Sequence, residues 1–280
     1  LSAWGPWMLL NFITILWGSQ HAIIKLTLEG DTGSPALLNM MRFALATMVF
    51  LPFAPGIFDF GRASPKRSLW NSGIELGLWT FAGYATQSIG LQYTTASRSA
   101  FLLYLNVKLV PILGLLLYSR KVSSSTWSNV GLALLGTFLV GYDGGAPNIG
   151  DAWSIAAAAS SAMFILRLEG AARRHEAAEL NAISMMTVTV LCLIWNFTDL
   201  ASLSEDMHLG PQQLLAASYL GLVTTALTSF LQTVGQKSIR AESAAIIYAM
   251  DPVYAACFSF FLLGESMGAQ GIAGGMLLFA

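Results

Sequence analysis

Ten long apolar runs are the feature of this sequence that most restricts its fold. Most are long enough for an α-helix to cross a hydrocarbon core of roughly 30 Å, which takes about 20 apolar residues. Because only 10% of the residues are charged, against about 25% in a soluble domain, we predict an all-α integral membrane protein with ten transmembrane helices. The runs cover approximately residues 6–26, 35–53, 72–92, 98–118, 125–142, 151–169, 180–198, 211–233, 242–263 and 268–280.

The distribution of Lys and Arg predicts how these helices are oriented. If the N-terminus is cytoplasmic, only Lys25 and Arg98 fall in external segments. Cytoplasmic segments of membrane proteins carry an excess of basic residues, so we expect an N-in protein that is also C-in, since the helix count is even. The basic residues on the cytoplasmic side are Arg62, Lys66, Arg67, Arg120, Lys121, Arg167, Arg173, Arg174, Lys237 and Arg240.

The two halves of the chain align with each other at an offset of 145 residues through the third and fourth spans. The matched pairs are Thr80 with Thr225, Gln87 with Gln232, Gly90 with Gly235, Ala96 with Ala241 and Ala100 with Ala245. Asn106 falls opposite Asp251. Five spans per half make the repeats inverted, as in many secondary transporters. We predict a first repeat at 1–143 with helices 1–5 and a second at 144–280 with helices 6–10, the last helix truncated at Ala280.

Short motifs in both halves resemble the EamA family of the drug/metabolite transporter (DMT) superfamily. They are Trp17-Gly18, Arg42-Phe43, Thr95-Ala96-Ser97-Arg98-Ser99-Ala100-Phe101, Leu109-Val110-Pro111, Ala244-Ala245, Pro252 and Gly264-Glu265. The chain departs from the family at Arg120, where first-half members often carry Glu. The resemblance implies export or exchange of small metabolites through a cavity lined by spans 1, 3, 4, 6, 8 and 9.

Polar side chains recur at helical spacing within the apolar runs, so that each of five spans has one polar face. Polar groups inside spans normally face the bundle interior or a water-filled cavity. The alternative is that they only form hydrogen bonds between helices. The candidate substrate-binding residues are Lys108, Asp251, Tyr104, Gln87, Tyr84, Gln232, Asn11, His21 and Tyr248.

Lys108 and Asp251 are the most informative pair, because both lie near the middle of spans that the repeat makes equivalent. A charge at that depth costs at least about 2.5–3.5 kcal/mol, so each requires a partner or water. The pair could be a structural salt bridge between the halves. Alternatively, Lys108 binds an anionic substrate group, while Asp251 binds a cationic group or takes up a proton.

Two prolines complete the set of candidate residues, and one further cation lies within a span. Pro111 and Pro252 each remove a helical hydrogen bond and are candidate gating kinks beside Lys108 and Asp251, although such kinks can also be static. Arg42 lies in the outer third of the second span. We interpret it as a snorkelling or locally paired side chain.

Several functions are excluded or disfavoured by what the sequence lacks. The net charge of −1 gives no indication of nucleic-acid binding. The segment His175-Glu176-Ala177-Ala178-Glu179 lacks the second His of a zinc protease motif, and no P-loop or nucleophile elbow is present. We therefore predict no enzymatic activity, no cofactor and no metal, and we interpret Cys192 and Cys257 as packing residues.

These observations predict a secondary transporter that moves an amino acid-like or amphipathic solute by alternating access, in export or exchange. The alternative is a non-transporting membrane scaffold or accessory subunit, whose polar faces would only join helices. Expected partners are a small-molecule substrate, the lipid bilayer and either a proton or a counter-substrate, with the protein a monomer or dimer. We expect a multi-pass protein of the plasma membrane, with an organelle membrane as the alternative.

Overall fold

The computed structural model describes residues 5–28, 35–54, 65–91, 93, 99, 102–119, 127–128, 131, 148–198 and 210–263. This part of the chain is helical and contains no β-strand. A 3₁₀ turn at Leu51–Phe53 extends α2, and a π-helical segment at Leu222–Leu227 joins α7 to α8. The helices are α1 (Gly5–Leu28), α2 (Pro35–Phe50), α3 (Pro65–Leu91), α4 (Leu105–Tyr118), α5 (Ile149–Ala172), α6 (Ala177–Thr198), α7 (Pro211–Gly221), α8 (Thr228–Gln236), α9 (Ala241–Tyr248) and α10 (Asp251–Leu263).

Six helical segments among the described residues are long and apolar enough to cross a membrane, as expected for an integral membrane protein. They are Gly5–Ile24, Ala36–Phe53, Ile149–Ala172, Ala177–Phe197, Leu214–Gln236 and Ala241–Leu262. Helix α4 is apolar but shorter. Nearly all of the predicted fifth span, the whole tenth span and the predicted repeat boundary at 143 lie outside the described residues, so the count of ten remains a prediction.

The helix boundaries correct two of the predicted spans. Helix α3 begins at Pro65 rather than near residue 72, and its proline is in the first turn, where the missing N–H has no helical partner to lose. The predicted ninth span is not one helix: α9 ends at Tyr248, a turn follows, and α10 begins at Asp251. Apolar composition runs through this turn without interruption, which is why hydropathy did not detect it.

Local capping explains why two other helices begin and end where they do. Helix α5 starts with a capping box: the Asn148 side chain accepts a hydrogen bond from Asp151 N at 3.1 Å, and the Asp151 carboxylate accepts one from Asn148 N at 2.9 Å. This arrangement satisfies two backbone donors that the helix itself cannot. Helix α4 ends at Ser119, which is left-handed (φ 50°) and donates its backbone N–H to the Gly114 carbonyl.

Helices of one half of the chain pack against helices of the other half. Helix α1 packs against α8 and α10, and α5 packs against α3 and α4. Helix α2 packs on α6 and on the π-helical segment, while α6 also packs on α3. One buried apolar cluster lies between α2, α3, α5 and α6, and a second lies between α1, α4, α5 and α9. The first helix of each half is therefore held mainly by the other half.

Candidate functional site

Tyr104 and Asp251 meet where two spans are interrupted. Tyr104 is in a turn immediately before α4, and Asp251 is the first residue of α10. The Tyr104 hydroxyl donates a hydrogen bond to Asp251 Oδ2 at 3.1 Å. The two interruptions are related by the 145-residue offset, because Tyr104 corresponds to Ala249 in the turn before α10. A direct polar contact thus joins the two halves at equivalent points.

Lys108 lies one helical turn beyond Tyr104 on α4 and is half-buried. Among the residues that the structure describes, its ammonium group has no hydrogen bond and no ion pair. No salt bridge joins it to Asp251, whose carboxylate instead accepts from Tyr104. The described contacts therefore give Lys108 no role in holding the two halves together.

The two prolines have different local settings. Pro111 is buried inside α4, where it interrupts helical hydrogen bonding. Pro252 is the second residue of α10, a position in which a proline has no intrahelical hydrogen bond to lose. The discontinuity near Pro252 is consequently a break between two helices and not a kink within one.

Tyr248 and Gln232, two other candidates, belong to a packed contact. Tyr248 is buried, meets Trp17 edge-on at a ring distance of 5.0 Å, and donates to Gln236 Oε1 at 3.5 Å. Gln236 in turn donates to the Ile165 carbonyl at 3.2 Å. Gln232 is one turn earlier on α8 and is also buried. These side chains join α1, α5, α8 and α9.

Two further candidates, Asn11 and His21, stay predictions. Asn11 donates to the Trp7 carbonyl one turn earlier in its own helix, at 2.9 Å. The His21 side chain lies outside what the structure describes.

Arg42 is the residue that the sequence interpretation missed. It does not snorkel: its side chain is only 1% exposed. The guanidinium donates to the Thr225 hydroxyl, to Gln20 Oε1 at 2.7 Å and to the Tyr84 hydroxyl at 3.1 Å. It also reaches the Thr224 carbonyl at 3.4 Å and lies 4.9 Å from the centre of the Tyr84 ring. A single arginine thereby links α1, α2, α3 and the π-helical segment.

Every partner of Arg42 in the described structure is neutral. The protein supplies hydroxyl, amide and carbonyl oxygens and an aromatic face, but no carboxylate within ion-pair distance among the described residues. Burying a charge without a counter-charge is costly. Only the depth of the residue in the fold reveals this.

A second arginine, near one end of the bundle, differs from Arg42 because it has an acidic partner. Arg167 forms an ion pair with Glu75, with Nε 2.5 Å from Oε1 and Nη2 2.8 Å from Oε2, and donates from Nη1 to the Tyr118 hydroxyl at 2.8 Å. These contacts join α3, α4 and α5 beside a cavity of about 410 Å³. Arg173 likewise pairs with Glu169 at 3.0 Å. The basic residues at this end are largely compensated.

Three charged side chains described within the bundle are not paired with one another. Among the described residues, Arg42 and Lys108 have no acidic partner, and Asp251, at the start of α10, is acidic. No group of three or more potential metal-binding side chains occurs among the described residues. The arrangement suits recognition of a small charged solute, because cationic and acidic side chains lie at separate points in the bundle.

Comparison with known proteins supplies the family. The model of the EamA-like transporter family matches this chain twice, over residues 5–142 and 148–280. Three proteins of Archaeoglobus fulgidus, each described as an uncharacterised transporter, are similar to it. One is 29% identical over 265 residues, which is 91% of this chain and 77% of that protein. The others are 24% and 22% identical, covering 95% and 98% of this chain and 90% and 94% of theirs.

A solved crystal structure shares the fold. It superposes with a TM-score of 0.73 at 18% identity and covers 97% of this chain and 93% of its own. The resemblance of the short motifs to the EamA family is confirmed, and transport rather than catalysis is the activity that this relationship indicates. The chain belongs to the EamA-like transporter family of the drug/metabolite transporter superfamily.

Proposed function

We propose that this membrane protein is a secondary carrier, and that it moves a small zwitterionic or anionic metabolite by alternating access, in export or exchange. The proposal includes ten spans in two inverted repeats, N-in and C-in, and residence in the plasma membrane. The observation that carries it is Lys108, which has no partner among the described residues and lies one helical turn beyond the Tyr104–Asp251 hydrogen bond, at two helix breaks related by the repeat.

Helix positions support the inverted repeat. At the 145-residue offset, the last residue of α3, Leu91, corresponds to Gln236, the last residue of α8. The last residue of α4, Tyr118, corresponds to Leu263, the last of α10. The packing follows the same relationship, since α1 lies on α8 and α10 as α5 lies on α3 and α4.

The roles of the central residues follow from their chemistry. Discontinuous helices place polar groups and helix ends near mid-membrane in many secondary transporters. At the breaks in this chain, Lys108 binds an anionic group of the solute, and Asp251 binds a cationic group or takes up a proton. Tyr104, immediately before α4, donates to Asp251. A solute that binds the Asp251 carboxylate would therefore also change a contact at the start of α4. Pro111 and the break before Asp251 are candidate hinges.

A counterflow assay in proteoliposomes tests the proposal. Vesicles loaded with unlabelled amino acids would be exposed to the same labelled compounds, with and without a proton gradient. We expect Lys108→Ala and Asp251→Asn each to reduce exchange at least about tenfold, because a hydrogen bond to a charged group contributes about 1.5–3 kcal/mol. Lys237→Ala, in the exposed turn between α8 and α9, is the matched control and should exchange at the wild-type rate.

The same assay separates the carrier from a scaffold. Wild-type exchange by both central variants would contradict the assigned roles. Absence of exchange of every compound by folded, monodisperse wild-type protein would favour the scaffold. Loss of folding on Lys108 substitution would favour the scaffold too, because it would show that this side chain is needed for packing rather than for binding a solute.

A further inference from the structure

The surroundings of Arg42 contain more hydrogen-bond donors than acceptors. Three donors have no acceptor in the part of the chain that the structure describes. Arg42 Nη1 makes no hydrogen bond, although Nε and Nη2 both do. The Tyr84 hydroxyl accepts from Arg42 and donates to nothing. Gln20 turns its oxygen toward Arg42, so its amide N–H groups also lack an acceptor.

The neighbouring threonines do not relieve this shortage. Thr225 donates its hydroxyl proton to the Leu220 carbonyl at 2.7 Å, and Thr224 donates to the same carbonyl at 3.1 Å. The Thr225 bond spans five residues, because the chain is π-helical here. Both hydroxyls therefore face Arg42 only as acceptors. They fix the guanidinium and supply nothing to the unsatisfied donors beside it.

Accessibility of these donors is graded. Arg42 is fully enclosed, but Gln20 and Tyr84 are both partly exposed, as is Gln87 one turn beyond Tyr84. Gln87 also has no hydrogen-bond partner among the described residues. Tyr84 and Gln20 are thus the partly exposed polar side chains in contact with the buried cation.

We propose that Arg42, Tyr84 and Gln20 form a binding subsite for the carboxylate of the transported solute. A carboxylate is an acceptor without donors and matches a guanidinium edge in geometry and charge. It would accept hydrogen bonds from the partly exposed Tyr84 and Gln20 donors, and its charge would neutralise a cation that has no acidic partner among the described residues. This subsite rests on the proposed carrier function and narrows its substrate class to solutes with a carboxylate.

Ligand-dependent thermal stability of the purified protein tests the subsite without requiring transport. The probes are L-leucine, 4-methylpentanoate, which lacks the amine, and L-leucinamide, which lacks the carboxylate. We expect wild-type protein to be stabilised by leucine and 4-methylpentanoate at half-saturating concentrations about tenfold or more below that of leucinamide, because only the former supply an anionic acceptor.

Tyr84→Phe is the decisive variant, because it keeps the ring beneath the guanidinium and removes only the hydroxyl. It should weaken 4-methylpentanoate binding by about tenfold and leave leucinamide unchanged. Arg42→Lys keeps the charge but loses the planar fork, and it should also lose the preference for the carboxylate probes. Arg174→Gln, at the basic end of α5 and outside the subsite, should retain it.

Either of two results with wild-type protein would overturn the subsite: equal half-saturation by 4-methylpentanoate and leucinamide, or no saturable response to 4-methylpentanoate. Full carboxylate preference in both Tyr84→Phe and Arg42→Lys would overturn it as well. Failure of the carrier proposal looks different, since wild-type protein would then bind 4-methylpentanoate but exchange none of the labelled compounds. Exchange without carboxylate preference would leave the carrier and remove the subsite.

Discussion

At the scale of single residues, the arginines of this protein have two kinds of surroundings. Arg167 and Arg173, partly exposed near one end of the bundle, have carboxylate partners. Arg42, in the interior, has only neutral partners among the described residues. Ion pairs at an interface hold helices together at small energetic benefit, whereas an uncompensated interior cation keeps a strong field for an incoming anion. Position along the helix separates the two classes.

His175, in the turn between α5 and α6, should make stability depend on pH. Burial lowers the pKa of its imidazole below the usual value, Arg174 lowers it further, and Glu179 offsets part of the effect. The unfolded chain then binds more protons at mildly acidic pH, so stability decreases as the pH falls through about 6.5. We expect His175→Gln to show a smaller loss of thermal stability between pH 7.5 and pH 5.5 than wild-type protein.

Thermal unfolding in detergent at both pH values, followed by light scattering and size exclusion, would measure this difference. The imidazole Nε2 is 3.4 Å from the Ser72 hydroxyl, and the glutamine can keep that contact. An identical pH dependence in the two proteins would show that His175 is not the titrating group.

At the scale of helices, glycines set how closely α3 and α6 approach. A Cβ atom added at Gly77 would lie 2.6 Å from Thr187 Cβ and 2.8 Å from the Ser184 carbonyl oxygen. Since the backbone there cannot yield cheaply, we expect Gly77→Ala to destabilise the protein by about 1–3 kcal/mol. A decrease in the unfolding temperature of the detergent-solubilised protein would measure it.

Gly170 in α5 is the matched control for that substitution. Its nearest contact for an added Cβ is the flexible Arg174 side chain, at 3.9 Å. Alanine there should be neutral or stabilising by up to about 1 kcal/mol, because glycine is the poorer helix former. Equal effects of the two substitutions would mean that the α3–α6 contact is not close-packed.

Hydropathy and turn residues predicted the described helices well, because a spanning helix must be apolar over most of its length. Pro35 and Pro211 start α2 and α7 as their positions indicate. The break before Asp251 was missed, although an acidic residue followed by proline is typical of a helix start. Its signal was hidden inside a continuous apolar run.

The site was less predictable than the helices. Tyr104, Lys108 and Asp251 were predicted because helical spacing and the repeat bring them to related places; the structure shows the Tyr104–Asp251 contact, and their role in binding stays a prediction. Tyr248 and Gln232 share those features but are packed between helices. The surroundings of Arg42 depend on four segments that are distant in sequence and include a π-helical turn. No periodicity in one segment could reveal that contact.

At the scale of the whole molecule, the inverted arrangement predicts the side of the membrane on which each turn lies. With Cys192→Ala and Cys257→Ala as background, Ser238→Cys should react with an impermeant thiol reagent only from the cytoplasmic side. Tyr93→Cys, beyond the end of α3, should react only from outside. Both positions are exposed, so burial does not limit labelling.

Labelling of intact and permeabilised cells, followed by a mass shift on a gel, distinguishes the two sides. Reaction of both cysteines from one side would exclude the inverted arrangement. Reaction of each from the side opposite to expectation would keep the inverted arrangement but reverse the orientation.

The packing of α1 against helices of the second half has a consequence for how the protein is made. Trp17 and Gly18 on α1 pack against Tyr248 and Tyr254, which are synthesised more than about 230 residues later, a delay on the order of ten seconds or more. During that interval the first helix is in the bilayer without its permanent neighbours. A first half released alone would therefore be an incomplete bundle that membrane quality control could recognise. The helices that pack on α1 are present only once the second half has been synthesised.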